Sequence, residues 1–504
     1  MNPVEDALER FRSVTETLPF AASIQNLYGG FRELANSRFL LHNAMWLNAF
    51  ELAAISKWVY LNGHSRAPNP VDWPAVLNLY KTLWKVTEEE TAYPDDPAVV
   101  ASFVLRLVYQ QMTWNITQDK MQANFLRVRG IFGSASAQAI ELRHRFEDAA
   151  GLAFDDFLKA ANVLHGLFLR NAVSIPGYQL ADALGGAFSA ETVAGTLRVL
   201  SATRNGFRRY YESRAAAQHA SGVVYEFNPL LRYPIMLRED RYSCVYPELI
   251  NYVATRGLYF FIADLLGASF NAAFADAFEF YVADLCRSAY GAENVLTESS
   301  ERALGWMGKT NDVSILGEDF AILMECKNSG LFSVSKRSAD PVDLAADIRK
   351  NLANADKRKG LFQLHDKVES LRRGELPPSL MAKYASVKRF FPVLLIHDEI
   401  WFANRPETLK NLIDAELAAH GIHGFEYQIW HIEEFELLAK SVPRNELEKV
   451  LHEKFTDPRY QSLDLAAYLS GRFGLPDAGI HLFCPHGDSK ALRIIRKLAD
   501  NDGS

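Results

Sequence analysis

Cysteine is scarce in this chain of 504 residues. Its four cysteines, Cys244, Cys286, Cys326 and Cys484, are widely scattered and show no paired spacing. This pattern does not indicate a disulfide framework and is typical of a reducing cytosol. The first residues, MNPVEDALERF, lack the basic and then apolar order of a signal peptide, so we expect a cytoplasmic location.

Long uninterrupted apolar runs and an excess of positive charge are also missing. The longest apolar stretches, Met45–Tyr60 and Gly257–Ala283, are interrupted by charged residues such as Lys57 and Asp264. No membrane-spanning helix is therefore expected. The formal net charge is −7, which argues against nucleic-acid binding by the whole surface. A local basic footprint would still suffice, because phosphate contacts supply much of the affinity for nucleic acid.

Apolar residues make up 49% of the chain, which at this length predicts two or three domains with substantial cores. In residues 1–225 these apolar residues recur at helical spacing. The clearest segments are Val4–Val14, Asn43–Leu61, Trp73–Val86, Val99–Trp114 and Phe154–Leu169. The pattern predicts an all-α domain. Its role stays open between gating, sensing, contact with a second copy or a partner protein, and gripping DNA.

The most informative segment is KTNDVSILGEDFAILMECKNSG, residues 309–330. An acid, Asp312, precedes a short apolar run, and a second apolar run ends in the triplet Glu325–Lys327 (ECK). The polar break Gly317–Asp319 between the two runs predicts a β-hairpin. Two carboxylates and an ammonium on adjoining strands are the groups needed to hold a hard divalent cation beside a phosphodiester.

The register of this hairpin decides whether the groups meet. Glu325 and Lys327 share one face, because alternate side chains of a strand point the same way. A loop of two or four residues places Asp312 opposite Glu325, with β-carbons about 4.5–5.5 Å apart, so that both carboxylates can share one ion. A three-residue loop would place Asp312 opposite Met324, on the wrong face, unless a bulge corrects the register.

This arrangement of Asp312 and the Glu325–Lys327 triplet resembles the PD-(D/E)XK, or restriction-endonuclease-like, nuclease superfamily. The likeness covers residues 266–440, about a third of the chain. Asn311 stands where the name of the motif has proline, at a position that carries no chemistry. The flanking elements also follow the order of the family: an amphipathic helix Phe270–Tyr290 with Glu279, a basic helical stretch Asp347–Leu371 with Gln363, a buried strand Phe391–Ile396, and a strand–helix pair Tyr427–Lys440.

The resemblance implies a phosphodiester hydrolase that uses Mg²⁺ or Mn²⁺. The implied metal ligands are the side chains of Asp312, Glu325 and Glu279 and the carbonyl of Cys326. The cation would polarise a phosphate oxygen and lower the pKa of bound water. Lys327 would orient that water or stabilise charge in the transition state, and Gln363 would position Lys327 or the scissile phosphate.

Each of these residues also has a purely structural interpretation. A Glu-x-Lys pair at a strand end is usually a solvated edge, Glu279 can be an exposed helix acid, and Gln363 can be plain helix surface. The basic residues after the motif, such as Lys357 and Lys359, are diluted by acids and can form an ordinary solvated face.

Three other patterns favour structural explanations. Ala303–Thr310 (ALGWMGKT) is a loosened phosphate-binding loop, but a strand-like sequence follows where such a loop must open a helix. Residues 476–477 and 488–490 spell PD and DSK, yet a proline and a glycine break the strand and the acid suits a helix N-cap. The His, Cys and Asp residues at 481–488 lack a zinc-site spacing.

We therefore expect an α+β multidomain protein, with an all-α N-terminal domain and an α/β restriction-endonuclease-like core that has a mixed central sheet. The expected parts are a helical domain (1–225), a connecting segment with two strands around the turn Arg238–Asp240 (226–265), the nuclease core (266–440) and a small mixed appendage (441–504). The expected activity is Mg²⁺-dependent endonucleolytic cleavage of DNA, by analogy with restriction or antiphage-defence effectors. An RNA nuclease and a nuclease-derived scaffold that does not cut are the alternatives.

Overall fold

The structure is mixed α/β, with helices in the N-terminal half and a mixed β-sheet in the second half. This computed structural model describes residues 3–36, 49–63, 73–90, 97–114, 116, 118–170, 173–215, 228–328, 336 and 340–474. Among them, no single helix is long and apolar enough to cross a membrane. One pair of short helices, Glu248–Ala254 and Leu258–Leu266, meets the length and composition criteria only when the two are joined across a bend of 43°.

Helices dominate the first 215 residues. They are α1 (Pro3–Thr17), α2 (Phe20–Asn36), α3 (Ala49–Asn62), α4 (Trp73–Glu90), α5 (Pro97–Met112), α6 (Gln118–Phe132), α7 (Ala137–Ala150), α8 (Phe154–Arg170), α9 (Gly177–Gly185), α10 (Ala190–Leu200) and α11 (Arg204–Ala215). Each segment whose apolar spacing predicts a helix coincides with one of them. The prediction for residues 43–48 lies outside the described residues, and α5 ends two residues before its predicted end.

The expectation of an all-α N-terminal domain needs one correction. Two short strands, β1 (Ser174–Pro176) and β2 (Ser201–Thr203), pair with β3 (Ile235–Arg238) and β4 (Arg241–Ser243) in a four-stranded sheet ordered β1-β4-β3-β2. Strands of three residues are too short to show an alternating pattern, and their partners lie far along the chain. The segment 226–265 therefore completes this sheet as well as connecting two parts of the chain.

The β3–β4 hairpin confirms the turn predicted at Arg238–Asp240. Its two central residues, Glu239 and Asp240, have φ angles of 50° and 58°. Positive φ at both central positions defines a type I′ turn, whose twist matches that of the flanking strands. Two helices follow, α12 (Glu248–Ala254) and α13 (Leu258–Leu266), and they end the part of the chain called here the helical part (α1–α13 with β1–β4).

The second half contains a five-stranded mixed sheet preceded by a long helix, α14 (Ala268–Tyr290). Its strands are β5 (Val295–Thr297), β6 (Val313–Leu316), β7 (Phe320–Lys327), β10 (Arg389–Ile396) and β11 (Gln428–His431). The order is β11-β10-β7-β6-β5. Strand β6 runs antiparallel to both of its neighbours, β5 and β7, whereas β7, β10 and β11 run parallel. A short helix, α15 (Glu298–Ala303), joins β5 to the loop before β6.

The connection between β7 and β10 departs from the sequence prediction. A single helical stretch was expected at Asp347–Leu371, but a short hairpin divides it. The elements are α16 (Pro341–Asp347), a π-helical turn (Ile348–Leu352), β8 (Ala353–Asn354), β9 (Lys359–Gly360), α17 (Leu361–Arg373) and α18 (Pro378–Met381). Gly360 lies where the expected helix is interrupted. Its φ is +65°, and a β-carbon there would lie 2.2 Å from the Leu352 carbonyl oxygen, so this backbone position requires glycine.

The remaining described elements are helical except for β11. They are a π-helical turn (Pro406–Lys410), α19 (Asn411–Ala419), α20 (Ile432–Ser441), α21 (Arg444–Thr456), α22 (Pro458–Gln461) and α23 (Leu465–Phe473). The predicted strand Phe391–Ile396 and strand–helix pair Tyr427–Lys440 are confirmed as β10 and as β11 with α20. The appendage expected to be mixed is helical as far as residue 474, and the rest of it lies outside the described residues.

Helices cover both faces of the five-stranded sheet. Alternate residues of β7 divide between two cores, because successive side chains of a strand face opposite ways. Ile322 and Met324 pack with α14, α20 and the helical part, whereas Ala321 and Leu323 pack with α17 and α19. Helix α5 also contributes to this second core. The sheet therefore lies between two apolar layers, and the helical part shares a continuous core with one of them.

Buried charges join the helical part to the end of the sheet. The guanidinium of Arg127 on α6 donates to both carboxylate oxygens of Glu436 at 2.7 Å and to Glu433 Oε1 at 3.2 Å. Burial alone would raise the pKa of Glu433, but Arg127 and other nearby cations hold it well below its usual range. The Arg256 guanidinium makes a second link, to the carboxylate of Glu399.

Replacing Arg127 with methionine should therefore lower the free energy of unfolding by about 3–5 kcal/mol, since it leaves buried carboxylates without their partner. The midpoint of urea unfolding measures this. Arg145 is the matched control, because its bond to Glu141 at 2.7 Å joins side chains that are 58% and 54% exposed. The Arg145→Met change should cost less than about 1 kcal/mol. Equal losses in the two variants would contradict the structural role of Arg127.

Candidate metal and catalytic site

The β6–β7 hairpin has the register that a two-residue loop requires. Its ladder pairs Val313 with Met324 and Leu316 with Ala321. Asp312 lies one residue before β6, where its backbone N–H donates to the Met324 carbonyl at 3.0 Å. Its Oδ2 accepts the backbone N–H of Cys326 at 2.6 Å. These two bonds hold the Asp312 carboxylate against the end of β7, next to Glu325.

Glu325 is buried and held from two sides. Only 2% of it is exposed. Gln363 Nε2, from α17, donates to Glu325 Oε2 at 2.7 Å, and the Lys327 ammonium contacts Oε1. Lys327 reaches Glu325 because the two residues are two apart on β7 and share a face. Gln363 also donates to the Thr310 carbonyl, so one amide links α17 to both the loop before β6 and the strand β7.

Glu279 approaches the same group from α14. Residues of the site act on its carboxyl group. Burial has the largest effect on the pKa of Glu279, and Glu325 and Asp276 add to it, so that the pKa rises to about 7. The Lys327 ammonium opposes this rise. No described group donates a hydrogen bond to the Glu279 carboxylate. A largely buried carboxylate without a hydrogen-bond donor is an available oxygen ligand.

The carboxylates of the site repel one another. Burial, Glu325 and Glu279 raise the pKa of Asp312 far above its usual value, and burial also raises the pKa of Glu325. Burial would lower the pKa of Lys327, but Glu325 and Asp312 raise it, so this ammonium stays charged. When all three carboxylates are ionised, they carry two more charges than the Lys327 ammonium balances, and this imbalance adds to burial in raising the pKa values of Asp312 and Glu279. A divalent cation with a preference for oxygen ligands fits this charge and this donor set.

Cys326 contributes its backbone, not its thiol, to the site. Its side chain is buried on the opposite face of β7, in the core formed with α14. Burial raises the pKa of the thiol far above its usual value, so the sulfur stays protonated. The Cys326 carbonyl oxygen accepts a bond from Lys327 Nζ at 3.3 Å. Within the part of the chain that the structure describes, no three His, Cys, Asp or Glu side chains form a completed metal cluster.

A second buried cluster lies directly behind the site, and sequence reasoning missed it. The Lys367 ammonium on α17 pairs with Glu301 Oε2 at 2.6 Å, with the two residues 0% and 1% exposed. The Tyr384 hydroxyl donates to Glu301 Oε1 at 2.8 Å, and it lies 2.9 Å from Ser314 Oγ on β6. This cluster therefore joins α15, α17, β6 and the segment after α18.

The cluster also supports the residues that hold the site. The Thr310 hydroxyl donates to Glu301, and the Thr310 carbonyl accepts from Gln363. Lys367 lies four residues after Gln363, so both point from one face of α17. The spacing Gln-x-x-x-Lys was visible in the sequence, but a helical lysine is usually solvated. Its partner Glu301 lies 66 residues away, which no local pattern indicates.

The other motif-like patterns in the sequence do not form separate functional sites in the described part of the chain. Residues 303–310 run from α15 to the strand β6 and open no helix, as the sequence indicated. The motif-like residues 476–477 and 488–490 and the His, Cys and Asp residues at 481–488 lie outside the described residues. No protein-family model, curated protein or solved structure matches this chain.

The raised pKa of Glu279 gives the metal-free protein a characteristic pH dependence. Its pKa rises from 4.5 to about 7 on folding, so the folded protein binds more protons between these values. The free energy of unfolding must then decrease as pH rises through this window. Urea unfolding in EDTA from about pH 5 to about pH 8 measures the decrease, and Glu279→Gln should make it smaller. Identical pH profiles for the two proteins would show that Glu279 does not titrate in this way.

The Glu301–Lys367 pair should behave as a unit. Lys367→Met leaves a buried carboxylate without its partner and should lower the free energy of unfolding by about 3–5 kcal/mol. Combining it with Glu301→Gln removes the charge that the single change exposes, so the double variant should recover most of this loss. Urea unfolding of the wild type, both single variants and the double variant measures the coupling. Additive losses would mean that the two side chains do not depend on each other.

Proposed function

We propose that the protein is a metal-dependent nuclease that hydrolyses phosphodiester bonds, with DNA as its substrate and endonucleolytic cleavage as its reaction. The observation that carries this proposal is the convergence of three carboxyl groups, Asp312, Glu325 and Glu279, beside the single ammonium of Lys327, with the pKa of each carboxyl raised. A site of this charge supports binding of Mg²⁺ or Mn²⁺.

The order of elements around the site supports a restriction-endonuclease-like core at residues 266–440. A long helix with Glu279 precedes the Asp312 hairpin, and a helix with Gln363 follows it. A buried strand and a strand–helix pair then complete the mixed sheet. This is the order that the PD-(D/E)XK resemblance implies, and the hairpin between Ala353 and Gly360 is an insertion in it.

The residues of the site divide the work of hydrolysis among them. A cation bound by the carboxylates would neutralise charge at the scissile phosphate and make an attacking water more acidic. Gln363 keeps the Glu325 carboxylate in place, and the Cys326 N–H does the same for Asp312. Lys327 pairs with Glu325 in the structure, and a cation bound at that carboxylate would compete with this contact. The ammonium would then be available to stabilise negative charge on the phosphate or to orient the water.

The charge of the site also favours an enzyme over the alternative, a nuclease-derived scaffold that does not cut. Burying three carboxylates beside a single ammonium destabilises the fold, as their raised pKa values indicate. A scaffold has no use for that destabilisation, whereas a metal-dependent enzyme uses it to bind a cation. Cleavage of RNA, the setting in restriction or antiphage defence and the cytoplasmic location remain predictions.

Cleavage should be lost or strongly reduced when either the Glu325 carboxylate or the Lys327 ammonium is removed. Glu325→Gln removes a ligand charge and should abolish nicking of supercoiled plasmid in Mg²⁺ or Mn²⁺. Lys327→Ala removes the ammonium that stabilises the transition state and should reduce the rate by about 10²–10³-fold or more. Exposed residues at the other end of the hairpin supply controls, because Glu318→Gln and Lys388→Ala change the same kinds of charge away from the site. Full activity in Glu325→Gln or Lys327→Ala would contradict the proposal.

The same proteins distinguish the substrates and the scaffold alternative. Linear duplex, single-stranded DNA and RNA offered beside plasmid identify the preferred nucleic acid. Calorimetric titration with Mn²⁺ should show binding to the wild type and weaker binding to Asp312→Ala, since one carboxylate ligand is lost. Absence of metal binding in both proteins, together with absence of cleavage, would favour the scaffold.

A further inference from the structure

Positively charged side chains near the site fall into two groups. Several arginines are already neutralised by carboxylates, in the pairs Arg302–Glu298, Arg349–Glu416 and Arg358–Asp366. Three lysines are exposed and make no ion pair with any described carboxylate: Lys309, Lys357 and Lys359. Exposed lysines also occur elsewhere, as at Lys388, so the feature that distinguishes these three is that they lie on two joined segments beside the site.

These lysines lie at the mouth of the proposed nuclease site. Lys359 lies four residues before Gln363, whose Nε2 donates to Glu325 Oε2 at 2.7 Å. Lys309 lies three residues before Asp312 in the chain, and its Nζ donates to the Lys357 carbonyl at 3.2 Å. That bond fastens the loop of residues 304–310 to the β8–β9 hairpin. We call Lys309, Lys357 and Lys359 together the lysine rim.

Two hydrogen bonds and one close packing contact, all made by Trp306, stabilise the loop that carries Lys309. The Trp306 backbone N–H donates to the Glu301 carbonyl at 3.1 Å, and its Nε1 donates to the Lys309 carbonyl at 2.9 Å. Gly308 packs so closely on the Trp306 ring that a β-carbon there would lie 2.5 Å from it. At the tip of this fastened loop, Met307 is 82% exposed, the highest value among the large hydrophobic residues described as exposed.

We propose that the lysine rim and Met307 are the substrate grip of the enzyme, with the three ammonium groups on phosphates of duplex DNA and the Met307 side chain inserted between bases. This inference rests on the proposed function, because it names the surface that delivers a strand to Glu325. Lysine ammonium groups bind phosphates as point charges, and exposed apolar side chains such as methionine unstack base steps when they enter the minor groove. The fastened loop supplies the rigid support that such a wedge requires.

Binding without cleavage tests the lysine rim. The probe is a fluorescein-labelled DNA duplex, and anisotropy in EDTA gives its affinity over a series of salt concentrations. The triple change Lys309→Ala, Lys357→Ala and Lys359→Ala should weaken binding by about tenfold or more and make the slope of log K against log salt shallower by about 2–3. The matched control replaces three exposed lysines away from the site with alanine: Lys388, Lys440 and Lys449.

The control variant should keep the wild-type affinity and slope. If the rim variant and the control variant bind with the same affinity and salt dependence, the lysine rim does not contact the substrate and the proposal is overturned. Equal stability of the two variants in urea confirms that the comparison concerns binding and not folding.

A duplex that contains 2-aminopurine tests Met307. Insertion unstacks a base step, so wild-type protein should increase the fluorescence of a probe at that step. Met307→Ala should lose the increase while its affinity stays within about threefold, because phosphate contacts supply most of the binding. An unchanged fluorescence response in Met307→Ala would overturn the role of Met307.

These measurements fail separately from the proposed function, because neither requires cutting. If DNA binding depends on the lysine rim but the protein never cleaves, the proposed nuclease activity is refuted and the proposed role of the rim in binding is retained. Cleavage by a protein whose binding ignores the lysine rim would keep the nuclease and refute the grip.

Discussion

Buried like charge is the constraint on which this structure depends. Glu325 raises the pKa of both Asp312 and Glu279, Glu279 raises that of Asp312, and Lys327 opposes each of these shifts. Repulsion would move these carboxylates apart if hydrogen bonds did not hold them in place. The Cys326 N–H fixes Asp312 and Gln363 fixes Glu325, so the repulsion is maintained and is not relieved by movement. Under the proposed function, a cation bound here would relieve this repulsion.

The rest of the fold surrounds this group with rigid support. Behind it, the Glu301–Lys367 pair ties the segment before Asp312 to the helix that carries Gln363. Beside it, the end of β10 donates from the His397 N–H to the Lys327 carbonyl at 2.8 Å. The following residues reach the helical part through the Arg256–Glu399 pair and through the Tyr109 hydroxyl, which donates to the Glu399 carbonyl at 2.6 Å. Glu399 lies two residues after His397, so these contacts connect the helical part to the segment beside Lys327.

The sequence predicted those features that local patterns determine. Turn chemistry predicted the hairpin, and alternation of side chains left two registers open, of which the structure has the one that brings Asp312 to the end of β7 beside Glu325. Helical spacing predicted α14 and placed Glu279 on it. Local patterns do not determine contacts between distant segments, so the pairing of β1 with β4 and of Glu301 with Lys367 was not foreseen. The hairpin at Gly360 was missed because apolar residues recur at helical spacing on both sides of it.

The choice of lysine at position 327 follows from the same balance of charge. The ammonium beside Glu325 opposes the rise in pKa that burial imposes on this carboxyl group. An arginine would form a bidentate, planar pair and would hold the carboxylate that the cation needs. A lysine is a single point charge on a flexible stem, so it stabilises Glu325 and could leave one oxygen without losing its own charge. Its raised pKa would keep it protonated through such a change of partner, which is the property that the proposed role at a phosphate requires.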